Sequence, residues 1–139
     1  PNGEGAISCM QLAMEDAGLE TKDIDYINLH GTATALNDQM ESIAVNQLFS
    51  HDVLCSSTKP FTGHTLGAAG AIEAAICWLM LADDEGVAPK HRWDGEHDPA
   101  IPQLNLVTAN QPSDSYRYVL SNSFAFGGNN IALILERAS

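Results

Sequence analysis

The stretch SSTKPFTGHTLGAAGAIEAA, Ser56 to Ala75, constrains this chain more than any other. Gly63, Gly67 and Gly70 recur at intervals of four and three, so within one helix they would share a face. Each glycine costs about 1 kcal/mol against alanine in a helix interior. A helix that carries three on one face must recover that cost by close packing. The pattern therefore predicts a long helix over 62–82, buried at the centre of a molecule. Thr62 is a suitable N-cap, which places His64 in the first helical turn. The helix dipole there disfavours imidazolium, and a neutral histidine can donate a hydrogen bond to a developing oxyanion.

The remaining periodicities alternate in type. Ile7, Met10, Leu12, Met14 and Ala17 recur at roughly helical spacing, and Gly18 is a C-terminal stop. IDYINLH, 24–30, reads as a strand. LNDQMESIAVNQLF, 36–49, reads as a helix with Met40, Ile43, Ala44 and Leu48 on one stripe. DVLCSS, 52–57, reads as a short buried strand. Residues 88–112 are polar, hold four of the six prolines, and contain a short strand at 104–107. YRYVLSNSF, 116–124, and NIALILER, 130–137, are strands joined by the glycine turn AFGGN. The order α-β-α-β-α-loop-β-β-β implies an α/β fold. A mixed sheet with a βαβαβ core and terminal antiparallel strands is covered by helices.

Composition narrows the function. The 139 residues are 45% hydrophobic and 17% charged, enough for one globular core. A net charge of −12 with only six lysines and arginines argues against nucleic acid. The longest apolar stretch, 68–82, is interrupted by Gly70 and Glu73 and is too short to span a bilayer, and no signal-like segment opens the chain. The three cysteines are odd in number and lack CxxC spacing. Cys9 and Cys77 lie in helical patterns and Cys55 in a strand-like run, which implies reduced thiols in a soluble, cytoplasmic protein. His51, His91 and His97 fall in polar loops, are expected to be solvated, and form no metal spacing with the cysteines.

Polar residues gather where strands turn into helices, and in open α/β sheets those exits line the ligand crevice. The first exit is HGTATALND, His30 to Asp38. The second is STKPFTGH, Ser57 to His64, and the third is SNSFAFGGNN, Ser121 to Asn130. Two histidines, a lysine, threonines and a glycine turn are thus expected at one edge. TGHTLGAAG lacks the glycine-lysine-serine/threonine ending of a phosphate-binding loop, which argues against an NTPase.

These exits resemble the motifs of the elongating β-ketoacyl–acyl carrier protein synthases, condensing enzymes of the thiolase fold. The motifs are HGT-x-T-x-x-x-D, K-x-x-x-GH-x-x-GAAG-x-x-E and NSF-x-FGG-x-N. All three are present in order, and GEGA near the start also matches. The resemblance covers nearly the whole chain but only the second half of such an enzyme. It implies that residues 1–139 form a C-terminal domain, the nucleophilic cysteine lying in an N-terminal half not contained here. Cys55 is accordingly read as a small buried hydrophobe. Degradative thiolases carry a second reactive cysteine in a glycine-rich stretch near the C-terminus. The corresponding SFAFGGNN has none.

The resemblance also implies roles. His30 and His64 would be the catalytic pair, with Lys59 beside them and Glu73 as its partner. Asp38 would support the site. Thr32 and Thr34 would hydrogen-bond pantetheine. Phe126 would be a gating residue whose N–H joins the oxyanion hole, with Phe124 beside it and Gly127 and Gly128 letting the turn move. The implied reaction is decarboxylative condensation of an acyl thioester with a malonyl thioester. The chain itself would hold no cofactor, because phosphopantetheine arrives on the acyl carrier protein. Expected partners are that carrier, the N-terminal half, and a second subunit in a homodimer or heterodimer. Carrier docking is expected on the missing half or around Lys59, Lys90 and Arg92. A non-catalytic partner subunit that sets chain length is the alternative. Ala125, Leu36, Asn37 and Asn129 depart from the commonest residues at their motif positions.

Overall fold

A computed structural model describes residues 2–49, 53–109 and 116–138, with the side chain of Phe126 outside the description. His51 and part of the polar 88–112 segment therefore lie outside the described residues. Helix α1 (Glu4–Ala17) ends at Gly18, whose N–H bonds the carbonyl of Glu15. Strand β1 (Tyr26–Asn28), helix α2 (Ala35–Phe49) and strand β2 (Leu54–Ser56) follow. After them come helix α3 (Lys59–Thr62), helix α4 (Ala69–Ala82), and strands β3 (Asn105–Leu106), β4 (Tyr118–Phe124) and β5 (Asn130–Glu136). The strands are shorter than the sequence pattern suggests, because alternation continues past the last ladder bond.

The five strands form one sheet in the order β3-β2-β1-β4-β5. The first three pairings, β3–β2, β2–β1 and β1–β4, are parallel, and β4–β5 is antiparallel. This is the expected mixed sheet with an antiparallel end. Successive strand residues point to opposite faces. Ile27, Cys55 and Leu120 pack against Met10, Ala44 and Val45 of α1 and α2. Tyr26 and Val119 pack against Cys77, Met80 and Leu81 of α4 on the other face. Helices thus cover both faces. Among the described residues no helix is long and apolar enough to cross a membrane.

The single long helix expected over 62–82 is broken. Helix α3 stops at Gly63, which adopts φ 74° and ψ 167°, and a 3₁₀ turn at Leu66–Ala68 precedes α4. Leu66 itself has φ 52°, left-handed backbone that a branched residue adopts at a cost of about 1–3 kcal/mol. Thr62 does not cap a helix start. Its Oγ1 donates to the Gly63 carbonyl at 3.1 Å. His64 consequently stands in the connection between the two helices, and the dipole argument for its charge state lapses. Of the three glycines only Gly70 serves close packing: a Cβ there would stand 3.1 Å from Ser123 Oγ. Gly63 supplies the turn, and Gly67 has no described neighbour within 4 Å of a would-be Cβ.

Candidate active site

Parallel pairing sets the geometry. Because β1, β2 and β4 run in one direction, their C-terminal ends share an edge, with Asn28 level with Ser56 and Ser121. His30 leaves β1, Lys59 follows β2, and Phe124 ends β4 at that edge. The His30 and His64 rings meet edge to face with centroids 5.6 Å apart and planes at 85°. Phe124 packs on His30 at 6.0 Å. His30 is buried and its Nδ1 has no hydrogen-bond partner among the described residues. His64 is exposed.

Behind the histidines, the Lys59 ammonium makes an ion pair with Glu73 Oε1. Both side chains are buried, with exposures of 5% and 1%. A buried charge needs such a partner, since losing one member leaves the other uncompensated at about 3–5 kcal/mol. Burial pushes the Glu73 carboxyl up, against the pull of Lys59 and His64. Burial first, then the positive charge of Lys59 and the neighbouring His64, lowers the pKa of His30 to about 4. His30 is therefore a neutral imidazole at pH 7, through burial and local charge.

Glu41, Ser57 and His91, to which the sequence assigns no role in the site, also build this edge. Glu41, 2% exposed in α2, accepts the backbone N–H of His30 at 2.8 Å with one oxygen. Its other oxygen accepts that of Gly31 at 2.8 Å. Burial raises its pKa, while those two bonds, then Asn122 and Lys59, lower it. A glutamate beside Ala44 and Val45 on the apolar stripe is the signal that could have exposed it. Ser57 Oγ donates to the Gly31 carbonyl at 2.9 Å and accepts the Lys59 N–H at 3.3 Å. His91 is the third. It is half-buried rather than solvated, and its Nδ1 accepts the Ser57 N–H at 3.0 Å. His97 is exposed as expected.

The cysteines are poor nucleophiles here. Burial pushes Cys55 and Cys77 up to about 12, with Glu41 and Glu73 adding to the respective shifts. Burial also raises Cys9. Cys55 is fully buried, as a small hydrophobe would be. Among the described residues no three His, Cys, Asp or Glu side chains converge in a way that could hold a metal.

Residues 1–92 match the family model of the β-ketoacyl synthase C-terminal domain. The chain belongs to the β-ketoacyl synthase family. Over 138 residues it is 45% identical to 3-oxoacyl-(acyl-carrier-protein) synthase 1 of Haemophilus influenzae, covering 99% of this chain and 33% of the relative. It is 38% identical over 142 residues to 3-oxoacyl-(acyl-carrier-protein) synthase 2 of Staphylococcus aureus, with coverage of 99% and 33%. A Xenorhabdus doucetiae ketosynthase solved in complex with its chain length factor superposes with a TM-score of 0.92 at 52% identity. That match covers 99% of this chain and 34% of the solved one. The chain thus spans about a third of the length of these relatives. Its α/β architecture is the thiolase-like fold of ketosynthases.

Thr32 and Thr34 follow β1, and Gly127 and Gly128 follow β4, at the same edge of the sheet. Thr32 and Thr34 bond each other through their hydroxyls at 2.9 Å, and Ala33 between them has φ 59°. Asp38 lies in the first turn of α2. It lines a groove with His91, where burial lowers the pKa of His91 and the charge of Asp38 opposes that shift. Gly127 and Gly128 have φ 81° and 79°, so the turn after β4 depends on glycine. Ala125 is extended, at φ −125° and ψ 161°, and needs no glycine. Lys59 is buried and committed to Glu73, so it cannot form a docking surface with the exposed Lys90 and Arg92.

Proposed function

We propose that this chain is the C-terminal domain of a β-ketoacyl synthase, and that it supplies the decarboxylation part of a condensing site. The observation that carries the reading is the His30–His64 pair at 5.6 Å, with the buried Lys59–Glu73 ion pair behind it. The acyl substrate is bound as a thioester to a cysteine in the N-terminal half, since none of the three thiols here is activated. A malonyl thioester on the phosphopantetheine of an acyl carrier protein breaks its bond to the carboxylate and releases CO₂. The electron pair becomes an enolate, and its oxygen takes a hydrogen bond from one ring N–H of each histidine. Neutral His30 donates without protonating the enolate, which would end the reaction. The enolate carbon then attacks the acyl carbonyl and expels the cysteine thiolate.

Thr32 and Thr34 bond the pantetheine arm in this reading. Phe126 presents its N–H to the acyl oxyanion, with Gly127 and Gly128 as its pivots and Phe124 as its support. The test is mass spectrometry of the full-length protein after incubation with acyl-carrier thioester, then with malonyl-carrier. A cysteine-bound acyl mass that malonyl-carrier consumes supports a condensing enzyme. No acyl adduct would instead favour a non-catalytic partner subunit that sets chain length.

A further inference from the structure

His91 has no part in the proposed chemistry, yet it reaches the same edge. It is anchored from one side, where its backbone N–H donates to the Val107 carbonyl at 2.7 Å. From the other side its ring accepts the Ser57 N–H at 3.0 Å. Trp93 packs edge to face on that ring at 6.2 Å. Ser57 in turn is wedged between both histidine-bearing exits. Its hydroxyl bonds the Gly31 carbonyl and the Lys59 N–H. A Cβ on Gly31 would lie 2.4 Å from Ser57 Cβ, so the two backbones stand as close as they can.

We infer that His91 is a positioning residue for the ketosynthase site: as a neutral Nδ1 acceptor it fixes Ser57, and through Ser57 it sets the spacing of the His30 loop and the Lys59 turn. The inference rests on the reading of His30 and His64 as the decarboxylation pair. Acceptance at Nδ1 leaves the ring proton on Nε2. Burial favours that neutral form, with Asp38 opposing it. A shift of about 1 Å in a catalytic group costs on the order of a hundredfold in rate, so a modest slackening is measurable.

The test uses the full-length protein in three forms: wild type, His91→Leu, which removes the acceptor, and His91→Asn, whose Oδ1 stands near the position of Nδ1. Malonyl-carrier decarboxylation is measured together with the fraction of cysteine that becomes acylated, which counts folded enzyme. The Leu variant is expected to lose about tenfold in kcat, with KM within about twofold and the acylated fraction unchanged, as the loss of one buried hydrogen bond implies. The Asn variant is expected to recover most of that loss. Wild-type kcat in the Leu variant overturns the inference, and so does an Asn variant as slow as Leu. If the Leu variant fails to fold, His91→Ala, which also lacks the acceptor, takes its place and is read by the same kcat, KM and acylated fraction. His64→Ala run alongside separates the two levels. If it leaves decarboxylation intact, the reading of the histidine pair fails; if it abolishes decarboxylation while His91→Leu does not, only the role of His91 fails.

Discussion

At the scale of single residues, the site is a problem of keeping imidazole neutral beside a lysine. His30 solves it by burial and by the positive charge of Lys59. Its folded pKa of about 4 lies below the ordinary 6.5 of the unfolded chain. Between those values the unfolded state binds the extra proton, so stability is fully present above pH 6.5 and is lost as pH falls through 4. This contribution is on the order of 3 kcal/mol. Glu41 and Glu73 oppose it, because their raised carboxyl pKa values favour the folded state on acidification. The contribution of His30 is therefore read as a difference: from pH 7 to 4 the Tm of wild type should fall more steeply than that of His30→Asn. Parallel curves would place the His30 ring in a solvated setting. For chemistry, His64→Ala in the full-length protein is expected to abolish malonyl decarboxylation while leaving acylation of the cysteine largely intact. Decarboxylation at the wild-type rate would remove His64 from the mechanism.

At the scale of elements, the site depends on how closely strand exits approach. Gly31 and Ser57 mark the tightest point. Gly31→Ala would set a Cβ 2.4 Å from Ser57 Cβ on a residue already at φ 43°. Overpacking of this kind costs about 1–3 kcal/mol, measurable as a lower denaturation midpoint in urea. Ser57→Gly added to Gly31→Ala should give less than the sum of the two single losses, since the clash is shared. Strict additivity would mean that the exits are not in contact. The strand exits were legible in the sequence because alternating apolar runs end where polar motifs begin. They brought His30, Lys59, His64 and Phe124 to one edge correctly, and predicted the antiparallel end of the sheet. The break between α3 and α4 was not legible. Gly63 and Gly67 continue a helical spacing, and nothing local signals that Leu66 takes left-handed backbone. Glu41, Ser57 and His91 were obscured for a different reason. Each acts through backbone groups of residues distant in sequence, and no periodicity encodes such partners.

At the scale of the whole molecule, the charge and the apolar surface point in different directions. A net charge of −12 should keep copies apart. Yet Trp78 and Leu79 of α4 are each 59% exposed, with Leu66 at 76% and Phe61 at 60%. Leu66 and Phe61 flank His64, and Trp78 and Leu79 follow two turns along α4. A helix that is apolar on both its sheet-facing and its outward sides needs cover on both. The chain spans about a third of the length of its relatives, and the proposed N-terminal portion is the natural cover, which would also bring the nucleophile to the histidines. Two outcomes follow for the isolated 139 residues. They should show no condensing activity, since the reaction needs an activated thiolate and the thiols here are held up by burial. They should also self-associate as concentration rises, which sedimentation velocity would detect. Trp78→Lys and Leu79→Glu together should suppress that association in the isolated chain, while the same pair in the full-length protein should lower its stability. A monomeric isolated chain at all concentrations would mean that charge outweighs the apolar face. Turnover by the isolated chain would mean that the site is complete without another half, and the proposed division of labour would then be wrong.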